Sequence, residues 1–368
     1  MLLRRWHPEA QGGIIGQNER PAMTDPIRHD RIPELALNWL RAGRGVALAT
    51  VVETWGSAPR SPGSQMVVDA AGAMMGSISG GCVEAAVVAE AMATIADRQP
   101  RLQTYGVSDD DAFAVGLACG GTIRVLIEPV GPGALALPEA LLAELVASRA
   151  KPEARALITD LADFSRHLVS PGIDAQIDAR FTADRSGPDS GSDSGSDSGP
   201  DSGPDVGRFI AIHNPPLRLF VVGGVQIALA LLPMARACGH AVTLIDPRSA
   251  FGTAARFPGE AIVEDWPDAA LRALNPDARS AIVTLTHDAK LDDPAIAFAL
   301  RSPVYYLGCL GSSRTHAKRL ERLRVMGFSE AELTRIHAPA GLNIGAKSPA
   351  EIALSILAEL TATLRLRP

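Results

Sequence analysis

Across residues 30–130, short apolar runs alternate with breaks marked by glycine, proline and small polar residues. PELALNWLRAG repeats its apolar positions at helical spacing and stops at Gly43, whereas GVALATVVET is a β-branched run that predicts a strand. SQMVVDAAGAMMGSIS predicts two strands about a turn at Ala70–Gly72, CVEAAVVAEAMATIAD a helix, and GTIRVLIEPV a closing strand. Residues 139–181 add a helix and at least two more strands. The rhythm then stops. SGPDSGSDSGSDSGPDSGPDVG, residues 186–207, has no large apolar side chain before Val206, so burial cannot offset the entropy of ordering it.

Beyond that tract the pattern changes again. LRLFVVG, AVTLIDP, SAIVTLTHD and PVYYLGCLG are continuous apolar runs, as expected of strands buried on both faces. Helical stretches at about 225–238, 290–301 and 314–326 follow three of them, and SPAEIALSILAELTATLR is a last amphipathic helix capped by Ser348 with Glu351 three residues on. Strand and helix in alternation imply right-handed crossovers and a parallel, doubly wound sheet. The expected class is α/β. An N-terminal α/β domain with a mixed sheet (30–181) is joined by a flexible linker (182–207) to a Rossmann-like C-terminal domain (208–368). Residues 1–29 are expected to be a disordered extension.

Charge and cysteine usage narrow the function. The formal charge is −6, and Asp189, Asp193, Asp197, Asp201 and Asp205 all lie in the Ser/Gly/Asp tract; without these five the charge is −1. A near-neutral body argues against a nucleic-acid binder. LFVVGGVQIALALLPMARACG is interrupted by Gly-Gly, Gln226 and Pro233 and reads as strand plus helix, not a membrane span. Cys82, Cys119, Cys238 and Cys309 are widely spaced, which suits a reduced, cytoplasmic compartment.

Three stretches could carry chemistry. In SISGGCVEAAVV, Ser79, Gly80 and Gly81 precede Cys82, which falls in the first turn of a predicted helix. Unpaired amides there would favour a thiolate or bind an anion. The bland alternative is a small core hydrophobe. Arg60 lies upstream in WGSAPRSPGS, and GLACGGT repeats the theme with Cys119, Gly120 and Gly121. In VVGGVQIALAL, Gly223 and Gly224 open a helix, and Asp246 stands where a ribose ligand belongs in a dinucleotide fold. Val225 occupies the fingerprint's second glycine position, which disfavours NAD(P). At the ends of later strands lie His287 and Asp288 in THDAKLDD, and Gly311, Ser312 and Arg314 in LGCLGSSRTHAKR. Amides at a helix start beside arginine suit a phosphate or carboxylate; helix capping and a solvated face are the alternatives.

ETWGSAPRSPGSQMVV, GSISGGCVEAAVV and SDDDAFAVGLACGGTIRVLIEP resemble the N-terminal domain of the XdhC/CoxI family, the accessory proteins of xanthine dehydrogenase and related molybdenum hydroxylases. NPPLRLFVVGGVQIALAL, THDAKLDDPAIAFAL, LGCLGSSRTHAKRLERL and GLNIGAKSPAEIALSILAEL resemble the family's Rossmann domain. The resemblance implies a chaperone, not a catalyst. Such a protein binds molybdenum cofactor (molybdopterin), protects it while a cysteine desulfurase installs its sulfido ligand, and passes it to a xanthine dehydrogenase-type apo-enzyme. A pterin phosphate wants arginine or amide donors, and Cys82 is the candidate soft ligand for the metal. The family often carries a histidine where this chain has Gln226, and the Ser/Gly/Asp tract is not a family feature. An NAD(P)-dependent oxidoreductase and a thiol or persulfide carrier are the competing readings. Apolar faces on two small domains would be covered in a homodimer.

Overall fold

A computed structural model describes residues 31–58, 60–106, 121–151, 153–189 and 207–366. The first unit runs α1 (Ile32–Arg41), β1 (Val46–Trp55), β2 (Gln65–Asp69), β3 (Met74–Gly76), α2 (Glu84–Asp97), β4 (Arg101–Tyr105) and β5 (Thr122–Val130). Its sheet has the order β3-β2-β1-β5-β4. The sheet expected to be mixed is antiparallel at every strand pair, with parallel pairing only at the isolated Val130–Leu137 bridge. The β2–β3 turn closes because Asp69 Oδ1 accepts N–H bonds from Ala71 and Ala73, both at 2.9 Å, while Gly72 takes a left-handed φ of 82°. One face of the sheet packs on α2 through Val83, Val87 and Ala91, and the other on α1 through Ala36 and Leu37.

The next segment is α3 (Glu139–Ala150), β6 (Arg155–Asp160), β7 (Arg166–Val169), α4 (Ala175–Ala183), β8 (Gly187–Pro188) and β9 (Arg208–His213). These strands form a second antiparallel sheet, β7-β6-β9-β8. Its Leu157, Phe209 and Ala211 pack on Val52 and Leu126 of the first sheet. A buried ion pair, Arg166 Nε to Glu128 Oε2 at 2.6 Å, also ties the two sheets together.

This sheet corrects the expected boundaries. Residues 208–213, expected in the Rossmann domain, pair instead with β6 over their whole length, Arg155 opposite His213 to Asp160 opposite Arg208. Residues 182–189, expected in the linker, complete α4 and form β8, and Ser186 Oγ accepts the Ile212 N–H at 2.9 Å. The part of the Ser/Gly/Asp tract after Asp189 is therefore inserted between two antiparallel neighbours, β8 and β9. Residues 190–206, like the expected N-terminal extension, lie outside the described residues. The connection between units is Asn214–Pro215–Pro216, where proline fixes φ. It is held on both sides: Asn214 Nδ2 donates to the Phe181 carbonyl at 2.8 Å, and Arg279 Nη2 donates to the Pro215 carbonyl at 3.0 Å.

The last unit is β10 (Leu217–Val222), α5 (Gln226–Ala237), β11 (His240–Ile245), β12 (Ala261–Val263), α6 (Pro267–Leu274), β13 (Ser280–Thr284), α7 (Ala289–Leu300), β14 (Tyr306–Cys309), α8 (Ser313–Val325), α9 (Glu330–Leu333), β15 (Ile336–His337) and α10 (Pro349–Arg365). All six strands are parallel in the order β12-β11-β10-β13-β14-β15. The chain starts centrally and winds outward both ways, which is the Rossmann topology. One face carries a core with α5 and α10, including Leu231 and Ile356; the other has Ala295, Ile296 and Leu323 from α7 and α8. The predicted Ser348–Glu351 capping box opens α10. No helix among the described residues is long and apolar enough to cross a membrane.

Candidate functional site

The cysteine loop lies between β3 and α2. Gly80 and Gly81 take φ values of 83° and 117°, which L side chains rarely adopt, and a Cβ built on either meets nothing within 4 Å. Among the described residues nothing covers their outer face. Their inner face is organised by Glu84, a residue not singled out in the sequence. Its carboxylate accepts the N–H groups of Ile78 (3.2 Å), Ser79 (2.9 Å), Gly80 (3.1 Å) and Gly81 (2.9 Å), and the hydroxyls of Ser77 and Ser79. Burial pushes this carboxyl up, but the Ser79 and Ser77 hydrogen bonds overcome that and hold it at about 2. Ser79 Oγ also accepts the N–H groups of Cys82 and Val83, both at 3.1 Å.

The anion expectation for this loop therefore changes. The amides that were to serve a thiolate or a ligand are committed to the chain's own Glu84 and Ser79. Helix α2 begins at Glu84, so Cys82 stands just before the helix and not in its first turn. The thiol is half-buried beside Ala58 and the α2-facing core. Gly121 belongs to the same neighbourhood: a Cβ there would lie 2.9 Å from Ala58 N and from the Ser57 carbonyl carbon. Arg60, half-buried on this loop, has no hydrogen-bond or ion-pair partner among the described residues. Cys119 and Gly120 lie outside the described residues. Beside the β1–β2 connection is a cavity of about 650 Å³, lined by Glu53, Ser61 and Pro62 on one side and Arg180 and Ser186 on the other; no residue of the cysteine loop lines it.

The other candidates gather at the carboxyl edge of the parallel sheet. Gly223 has φ 111° and its missing side chain leaves room for Thr286, whose Cγ2 would lie 2.8 Å from a Cβ. Gly224 sits under the Phe251 carbonyl, 2.5 Å from where a Cβ would be. Asp246 is fully buried. It accepts the Gly224 N–H at 2.8 Å and a two-point bond from Arg248, Nε at 2.9 Å and Nη2 at 2.8 Å. Burial pushes Asp246 up, but Arg248 and the Gly224 amide outweigh that and lower it. The acid expected to meet a ribose thus already has partners, and the segment around Phe251 lies over the glycine turn. Arg256 holds it there through the Gly224 and Phe251 carbonyls, both at 2.7 Å.

Asp288 caps α7 through the Lys290 N–H, as the capping alternative for that loop expected, and Ser312 caps α8 through the Thr315 N–H. Gly311 has φ 135° and leaves space above Thr315 and Arg319. His287, with a left-handed φ of 61°, and Arg314 line a small cavity between the start of α7 and helix α8. No hydrogen bond or ion pair among the described residues joins this group to the cysteine loop.

Both halves match known family models. Residues 39–106 fit the XdhC and CoxI family, and residues 219–360 fit the XdhC Rossmann domain. The chain is 30% identical over 350 residues to the molybdenum cofactor insertion chaperone PaoD of Escherichia coli, covering 93% of this chain and 90% of that protein. It belongs to the XdhC/CoxI family. A Bacillus subtilis protein named as a probable xanthine dehydrogenase subunit is 27% identical, with 86% of this chain and 92% of that one covered. A crystal structure from Bacillus halodurans, named as a xanthine dehydrogenase, shares the fold at TM-score 0.71 and 23% identity, over 91% of this chain and 96% of that chain. The cysteine loop lies within the XdhC and CoxI match, and the basic α8 within the XdhC Rossmann-domain match.

Proposed function

We propose that this chain is a molybdenum-cofactor chaperone. It takes the cofactor as cargo, shields it while a cysteine desulfurase supplies the sulfido ligand, and hands it to the apo form of a xanthine dehydrogenase-type hydroxylase. The observation that carries this reading is the identity to a cofactor insertion chaperone across both units, loop and Rossmann half together.

The residues present fit such a cargo. Molybdenum cofactor brings its own dithiolene to the metal, so the protein need offer no closed metal cage. Among the described residues no group of three or more His, Cys, Asp or Glu side chains is placed to hold a bare metal ion. One half-buried thiol, Cys82, beside two glycines with open space above them leaves room for a bulky ligand and supplies a soft donor. Glu84 fixes the loop from below, which holds Cys82 in place without a ligand. Arg60 offers a cation on the adjoining loop. In this reading the chain binds, orients and excludes water; it moves no proton and breaks no bond.

The oxidoreductase reading loses ground to the same geometry, because Asp246 is occupied by Arg248 and Gly224. Transfer is the test. The protein, purified from cells making the cofactor, is mixed with an apo-hydroxylase, and enzyme activity is followed. Activation in proportion to added chaperone supports the proposal, and its absence with fully loaded protein refutes delivery.

A further inference from the structure

The cavity between the start of α7 and helix α8 contains a cation the cysteine loop does not explain. It measures about 190 Å³ and is lined by His287, Asp292, Arg314, Lys318, Arg319 and Arg322, among others. Arg319 is 2% exposed, an unusual burial for a residue on so polar a helix. Its Nη2 donates to the Leu310 carbonyl at 2.9 Å, beneath the Gly311 turn, and lies 3.9 Å from Asp292. Its Nε and Nη1 are buried and meet no acceptor among the described residues. Buried donors are almost always paired, so two orphans on one guanidinium indicate a partner supplied from outside the described residues.

The surroundings specify that partner's charge. Arg322 is neutralised by a two-point contact with Asp293, Nε at 2.5 Å and Nη2 at 2.9 Å. Arg314 and Lys318 have no carboxylate partner among the described residues. Asp292 is the one acid among the described residues that lines the cavity, and it accepts the Thr286 hydroxyl at 2.6 Å. Three cations against one carboxylate leave the cavity positive. The first-turn amides of α8 at Ser313 and Arg314 have no intrahelical acceptor, and the helix start adds its own positive end. The volume lies below that of a pocket for a whole drug-sized molecule, so it suits one compact anionic group.

We infer that this cavity is a receptor for a phosphate group, with Arg319 as the buried anchor and Arg314 and Lys318 closing on the remaining oxygens. A free donor of the Arg319 guanidinium gives a charge-assisted hydrogen bond to one phosphate oxygen, and Lys318 serves as a point charge. The site is separate from the glycine turn at Gly223, where a Rossmann fold ordinarily holds a pyrophosphate. It does not depend on Cys82 or on the molybdenum cargo.

The full chain, made without the cofactor pathway and kept in phosphate-free buffer, is titrated calorimetrically with inorganic phosphate and with glycerol 3-phosphate. Saturable binding of either is expected. Arg314→Gln/Lys318→Gln, which alters only side chains lining the open part of the cavity, weakens it about tenfold or more, equal to about 1.4 kcal/mol. Arg319→Met abolishes it, and Arg272→Gln, on the exposed face of α6, leaves it unchanged. Circular dichroism checks that each variant is folded; if Arg319→Met is not, the double variant decides. Tighter binding of the ester identifies an esterified phosphate as the ligand, and equal binding identifies the free ion. No saturable binding of either probe, or binding that survives Arg314→Gln/Lys318→Gln undiminished, overturns the inference.

Discussion

Replacing Glu84 with glutamine keeps the shape of the group under the cysteine loop but removes its charge and turns one acceptor oxygen into a donor. Four backbone N–H groups and two hydroxyls converge on this carboxylate, which is 5% exposed. Its folded-state value of about 2, against 4.5, is a depression of roughly 2.5 units. At about 1.4 kcal/mol per unit, the ionised carboxylate contributes about 3 kcal/mol. The folded value lies below the unfolded one, so this stability is complete well above pH 4.5 and is lost as pH falls toward 2. Glu84→Gln should therefore be about 3 kcal/mol less stable than wild type at pH 7, and only about 1 kcal/mol less stable at pH 3. The assay is hydrogen exchange at the amides of residues 78–83, supported by urea unfolding at both pH values. A variant within about 0.5 kcal/mol of wild type at pH 7, or a gap that does not shrink with acid, would refute the role given to this carboxylate.

Two further outcomes test the Rossmann half. Gly224→Ala drives a methyl group to 2.5 Å from the Phe251 carbonyl oxygen, a backbone atom; the expected cost is about 1–3 kcal/mol, read as a lower Tm, and an unchanged Tm contradicts the packing described. Burial raises the Cys309 thiol to about 11, so iodoacetamide at pH 8 should label Cys82 and Cys238 while leaving Cys309 until the chain unfolds. Mass spectrometry distinguishes these, and equal labelling of Cys309 in the native protein contradicts its burial.

The parallel sheet is legible in the sequence because its strands are apolar on both faces and its turns carry glycine and aspartate. The sequence pattern places β9 in the wrong sheet for a physical reason. Arg208–His213 is as apolar and β-branched as the strands that follow it, and its partner Arg155–Asp160 lies far upstream. Strand periodicity reports that a segment is buried, not what it pairs with. The cysteine loop shows through its glycines, but Glu84 does not. It reads as an ordinary first-turn acid, and its partners are backbone amides, which leave no mark in sequence. A first-turn acid two residues after the cysteine of a Gly-Gly-Cys stretch is the available signal. Arg319 is hidden differently: within SRTHAKRLERLRV it looks like one solvated charge among many, and only the packing of α8 on β14 takes it out of water.

Cofactor content tests the central claim most directly. The protein and its Cys82→Ala variant are purified from cells with an active molybdenum-cofactor pathway, and molybdenum and pterin are measured per chain. Near-stoichiometric molybdenum and pterin in the wild type, with both lost or sharply reduced in the variant, is the predicted result. Wild-type protein free of both, from cells that load other molybdenum enzymes, would contradict the chaperone reading.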